Sequence, residues 1–108
     1  MSMQKAVSEL RAGIPPNIWP EPDVIDSYVF LVTEIGEVGD LLMRSSHALY
    51  KYTRNSDDDA SPERLVHELG DVQLMLCTLA TALGIDLEVA LAKRLADLHT
   101  KYVDPGCS

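Results

Sequence analysis

The strongest constraint on this chain is an acidic motif that occurs twice. Thr33-Glu34-Ile35-Gly36-Glu37-Val38 is echoed by His67-Glu68-Leu69-Gly70-Asp71-Val72, so Glu34 matches Glu68, Glu37 matches Asp71, and the glycines and valines coincide. In each copy the two carboxylates stand three residues apart inside an apolar pattern of helical period, and positions i and i+3 share one helix face. Two such helices packed together bring four carboxylates to one place.

Four anions in a partly buried place take up protons unless a counter-charge joins them, because desolvation and mutual repulsion both penalise the ionised form. A hard divalent cation is the natural solution. The donor set is all oxygen and lacks the Glu-x-x-His of carboxylate-bridged iron bundles, which favours Mg²⁺, with Mn²⁺ as a substitute, over iron or zinc. Glu34, Glu37, Glu68 and Asp71 are therefore the candidate metal ligands and catalytic groups. Two other readings stay open: a non-catalytic helical association module whose acidic face is solvated, and a carboxylate-bridged iron protein.

At 108 residues the chain is one domain, residues 1–108, near the size where association with a second copy helps to bury apolar surface. A formal net charge of -8 argues against nucleic acid and anionic membranes as partners, and makes a cation between this chain and any phosphate substrate more necessary. Cys77 and Cys107 have neither metal-type nor redox-type spacing; they read as a buried small residue and a tail thiol. No apolar run approaches the ~20 residues of a membrane span, and Met-Ser-Met-Gln-Lys lacks the apolar core of a signal peptide, so the expected location is the cytoplasm.

Along the chain the pattern predicts only helices. Met3 to about Ala12 makes a short helix with Ala6, Val7 and Leu10 inward, ended by Gly13. Residues 14–22 hold Pro15, Pro16, Pro20 and Pro22 and form an ordered loop or a mobile lid. Pro22 fits the first turn of a second helix running to about Tyr52, with Asp23 and Asp26 near its positive end. Gly36 and Gly39 each cost about 1 kcal/mol in a helix interior, so either something approaches closely there or the cost is tolerated. The aspartates at 57–59 read as a solvated connection. Ser61-Pro62-Glu63 opens a third helix that ends at Gly84. Its apolar residues cover most of the circumference, which calls for burial on all sides and hence a subunit interface. Asp86 caps a fourth helix reaching about Tyr102, and Asp104-Pro105-Gly106 ends the fold.

If helices two and three form an antiparallel hairpin, residues whose numbers share a sum lie opposite one another. Glu34 with Asp71, and Glu37 with Glu68, both sum to 105. The four acids then fall at one level of the hairpin.

Glu34-Ile-Gly-Glu37 followed by Glu68-Leu-Gly-Asp71 resembles the E-x-x-E…E-x-x-D signature of the MazG-like nucleotide pyrophosphohydrolases, within the all-alpha NTP pyrophosphatase superfamily. Leu83-Gly-Ile-Asp-Leu-Glu88 is also similar to that family, and the resemblance covers roughly residues 24–102. It implies an all-α bundle of three to four helices per subunit, completed as a homodimer or homotetramer. It implies Mg²⁺ on Glu34, Glu37, Glu68 and Asp71. The implied reaction is hydrolysis of a nucleoside triphosphate between the α and β phosphates to the monophosphate and pyrophosphate, a nucleotide-pool housecleaning activity.

The chain departs from the family where Thr33 and His67 stand in place of the first of two glutamates, which leaves the number of metals open. The family's late Lys-x-x-x-Arg, which grips phosphates, falls on Asp97 and Lys101; Asp97 has the wrong sign, and Lys93, one turn earlier on the same face, is its substitute. Trp19 and Tyr28 are candidates for stacking on a nucleobase, with core packing as the alternative. His67 and His99 are either proton-transfer groups or solvated. Arg44 and Arg64 either pair with the acids or meet phosphate.

Overall fold

The computed structural model of the chain describes residues 2–46 and 61–104. Every regular element among them is helical: α1 (Met3–Gly13), α2 (Val24–Ser46), α3 (Pro62–Ala82) and α4 (Leu87–Leu98), which runs into a π turn, His99–Val103. The expected all-α class is what the chain adopts. The aspartates at 57–59, Cys107 and the Pro105-Gly106 end lie outside the described residues, as does the stretch to Tyr52 expected in the second helix.

Local chemistry sets most helix ends. Ser61 Oγ accepts from Arg64 N at 3.2 Å, with Pro62 at the first position, where its missing N–H costs nothing. Asp86 accepts from Glu88 N at 2.9 Å and Val89 N at 3.3 Å. Gly84 has φ +71°, the left-handed conformation that stops α3. Pro22 does not enter α2. The helix begins at Val24, and Asp23 caps it instead, its Oδ1 accepting from Asp26 N at 2.8 Å.

α2 packs along α3 in the most extensive helix contact, and α1 lies across α3. The face that α1 turns inward matches expectation only at Val7, which is half-buried: Ala6 and Leu10 are exposed, and Gln4, Ser8 and Arg11 are half-buried instead. Polar bonds explain the difference. Gln4 donates to Thr81 Oγ1 at 3.1 Å and to Ile85 O at 2.7 Å, and accepts from Leu87 N at 2.8 Å. Between α1 and α2 the proline-rich segment is a turn, closed by Ile18 N and Trp19 N donating to Pro15 O.

The core of the single chain is small. Leu41, Met75, Cys77 and Ala80 are its buried apolar residues among those described. α3 buries one face only, and Val66, Leu69 and Leu76 remain exposed. Burial on all sides is thus not reached among the described residues. α4 leaves α3 at 98°, and the radius of gyration is 18.1 Å, against about 13 Å for a compact domain of this length. No single helix among the described residues is long and apolar enough to cross a membrane.

Candidate metal centre and adjoining cavity

Each acidic motif lies inside a helix, so i, i+3 spacing holds its two carboxylates on one face, and the α2–α3 contact turns both faces together. Glu34, Glu37 and Glu68 each offer an oxygen within 4.8 Å of the others. Glu68 also belongs to a second group of this kind with His67 and Asp71. The four acids form two overlapping trios that share Glu68, and the second adds an imidazole nitrogen. His67 Nε2 lies 3.3 Å from Asp71 Oδ2, one turn on along α3.

The electrostatics are those of crowded like charges. Glu68 is buried at 8% exposure, and its carboxyl pKa is raised, first by a side-chain hydrogen bond with Glu37 and then by burial. A bond between two carboxyls requires one to keep its proton. The Glu34 pKa is raised too, by burial first and then by the charges of Glu37 and Asp71. Glu34 Oε2 and Glu68 Oε2 are buried oxygens without a hydrogen-bond partner. Buried unpaired carboxylate oxygens are costly, and a divalent cation would satisfy both while relieving the repulsion, so this donor set fits Mg²⁺ or Mn²⁺.

A cavity of about 360 Å³ opens beside Glu34, lined also by Arg11, Trp19, Phe30 and Met75 and by Pro20, Glu21, Pro22 and Asp26. The lining follows the antiparallel register: Phe30 lies one turn before Glu34, and Met75 one turn after Asp71. Trp19 is held there by Arg11, whose guanidinium carbon sits 4.3 Å from the ring centroid. Burial lowers the Arg11 pKa, and the charge of Glu21 acts the other way.

The remaining expected residues lie elsewhere. Tyr28 is exposed on α2 and is not among the residues lining this cavity. Lys93 is exposed on α4, and Lys101 lies over the Tyr102 ring in the π turn, 5.2 Å from its centroid. His99 faces Asp104 at 4.0 Å. Arg64 is exposed on the first turn of α3, and the side chain of Arg44 falls outside the described residues. Among the described residues, nothing beyond each glycine's own stretch of helix comes within 4 Å of a Cβ placed at Gly36, Gly39 or Gly70, so close packing among them does not account for these glycines.

Sequence reasoning missed Arg11 and Phe30. Phe30 had a signal, its spacing of four from Glu34; Arg11 had none, because its place depends on how α1 crosses α3.

Compared with protein families, with curated proteins and with solved structures, the chain finds no match.

Proposed function

We infer that the chain is a Mg²⁺-dependent nucleoside triphosphate pyrophosphohydrolase of the MazG-like kind, cleaving the anhydride between the α and β phosphates to release the monophosphate and pyrophosphate. One observation carries this reading: facing helices bring together carboxylates whose buried oxygens Glu34 Oε2 and Glu68 Oε2 lack hydrogen-bond partners. Glu34, Glu37, Glu68 and Asp71 would hold the cation. Bound there, Mg²⁺ supplies charge neutralisation at phosphate oxygens and lowers the pKa of water.

The chain's own residues do the rest. Water's oxygen bonds to the α phosphorus as the bond to the bridging oxygen breaks, and a carboxylate of the cluster takes the water's proton. Trp19 and Phe30, beside Glu34, offer aromatic faces to a base, which stacking accepts without regard to sequence. The small single-chain core supports assembly as a homodimer or homotetramer.

The test is a panel of canonical and modified NTPs and dNTPs incubated with protein and Mg²⁺, with products separated by chromatography. Monophosphate and pyrophosphate are expected. Orthophosphate and diphosphate as primary products would overturn the assignment. A second reading, a non-catalytic helical association module, is favoured by the exposed apolar side chains on α2 and α4. It predicts no turnover and no gain in stability with Mg²⁺.

A further inference from the structure

The acids provide for a cation, but a polyphosphate chain carries more negative charge than one divalent ion offsets, and this chain is itself strongly acidic. A protein cation near the cluster is therefore needed. Lys93 and Lys101, to which the family resemblance assigns that role, lie on the arm that leaves α3 at 98°.

Arg11 stands in a different position. Among the described residues it is the one Lys or Arg lining the cavity that also holds Glu34. Its Nε donates to Thr78 Oγ1 at 2.9 Å, and Thr78 in turn donates to Leu74 O at 2.8 Å, so the fork is aimed by a hydroxyl that is itself fixed. Its Nη2 points at Met75 Sδ, 3.8 Å away. Met75 follows Asp71 by four residues, about 6 Å along the helix axis, and side chains on a helix lean toward its N-terminus, here toward the acids. The guanidinium therefore sits roughly one helical turn from the carboxylate layer.

A guanidinium has five N–H donors. One goes to Thr78 and one to the soft sulfur of Met75, which leaves three. No carboxylate forms an ion pair with it among the described residues; Glu21 acts on it only through its charge, and both Glu21 and Asp26 are exposed whereas Arg11 is half-buried. A half-buried, pre-oriented fork with unused donors beside a cation site matches the geometry of bidentate phosphate recognition.

We propose that Arg11 grips the phosphate chain of the substrate, holding the phosphates beyond the cation while Trp19 stacks on the far side of the guanidinium. The proposal rests on the pyrophosphohydrolase reading for the identity of the substrate, and its ligand class is a metal-bound polyphosphate. Arg11 thus takes the role that the resemblance gives to Lys93 and Lys101.

The probe is inorganic pyrophosphate in excess Mg²⁺, titrated by calorimetry into the full chain and its Arg11→Met and Arg11→Lys variants. Trp19, the single tryptophan, reports in the same titration of the unaltered chain because it lies against Arg11. The expected result is a saturable change in Trp19 emission, affinity lowered about 30-fold or more in Arg11→Met, and partial recovery in Arg11→Lys, which keeps the charge but not the fork. Mn²⁺ binding without pyrophosphate should change less than about twofold in both, since neither variant touches a carboxylate. If Arg11→Met fails to fold, as circular dichroism would show, the Arg11→Lys loss of about 5-fold or more carries the test. Unaltered pyrophosphate affinity in a folded Arg11 variant overturns the proposal, as does a loss seen in Lys93→Met and not at Arg11. Pyrophosphate binding that depends on Arg11 in a protein that cleaves no NTP would uphold the phosphate grip and defeat the hydrolase reading. NTP cleavage with pyrophosphate binding indifferent to Arg11 would do the reverse.

Discussion

Glu37 on α2 and Glu68 on α3 bring carboxyl oxygens within 4.8 Å of one another across the helix contact, and this proximity is the first cause of the raised Glu68 pKa. Two acids from separate helices are thus held in a state that favours a proton on one of them. A divalent cation would replace that proton, which would tie cation binding directly to the α2–α3 contact.

Glu37, Glu68 and Asp71 should each be indispensable to turnover and dispensable to the fold. Changing any one to its amide keeps the shape and removes a charged ligand, so we expect pyrophosphate release to fall on the order of a hundredfold or more with far-UV circular dichroism unchanged. Glu34→Gln behaves the same way if Glu34 is a ligand. If it accepts the water's proton, Mg²⁺ and nucleotide binding survive while the rate falls. Glu9→Gln, at an exposed position of α1, is the matched control and should be silent. Full activity in both Glu68→Gln and Asp71→Asn would place the active site elsewhere.

Without metal, the protein should become less stable as pH rises from mildly acidic to neutral because of this cluster. Glu34 and Glu68 both have raised folded-state pKa values, so the folded chain holds their protons more tightly than the unfolded chain. Their contribution is fully present below the ordinary carboxyl range and is lost as pH climbs through the raised values. Since other carboxylates titrate nearby, the measurement is a difference: denaturation midpoints of the unaltered chain against Glu34→Gln/Glu68→Gln across pH 4 to 8. The double variant should gain relative stability with rising pH. A pH-independent difference would refute the crowding.

Mg²⁺ should reverse that loss. A ligand bound only by the folded state stabilises it by about 2.7 kcal/mol at a hundred times its Kd, which raises the melting temperature by roughly 10 °C in a chain of this size. The shift should vanish in Glu68→Gln, and a shift that persists there would locate the cation away from the cluster.

Features that depend on neighbouring residues in sequence were legible in advance. The Ser61-Pro62 and Asp86 caps and the stop at Gly84 are set within a few residues, and the acid pairs announce themselves because helical spacing puts both members on one face. The opposition of Glu37 to Glu68 was legible as well, from hairpin register alone. What was not legible depends on tertiary contact. Gln4 and Arg11 turn inward, and Ala6 and Leu10 outward, because α3 offers Thr78 and Thr81 as partners, and nothing in the α1 pattern shows that. Pro22 was placed in α2 by propensity, and the Asp23 cap displaced it. The 98° departure of α4, which separates Lys93 from the cavity lining, likewise has no local signature.

Gln4 joins three elements, and its loss should be felt at the α3–α4 elbow. Its amide donates to Thr81 Oγ1 and Ile85 O, and accepts from Leu87 N. Gln4→Ala leaves the Leu87 N–H at the start of α4 without its partner, and the expected destabilisation is about 1–3 kcal/mol by chemical denaturation. Hydrogen exchange at the Leu87 amide should accelerate more than at mid-helix amides of α2. Equal acceleration everywhere would mean that Gln4 acts on global stability alone.

Self-association is the last expectation, and Leu91 separates it from the alternative. In the single chain Leu91 is 59% exposed on α4, where it lines an apolar groove with Met3, Leu76 and Leu87. Were the chain a monomer in solution, Leu91→Asp would exchange an exposed apolar group for a solvated charge and be nearly silent. In a homodimer or homotetramer that covers this elbow, the same change places an unpaired carboxylate in an interface and drives dissociation. Sedimentation at micromolar concentration should therefore show an oligomer for the unaltered chain and a shift toward monomer for Leu91→Asp. The variant's melting temperature should also fall and rise with protein concentration, because association and folding are linked. A monomer at micromolar concentration, with Leu91→Asp indistinguishable from it, would show that the chain is stable with this surface open to solvent.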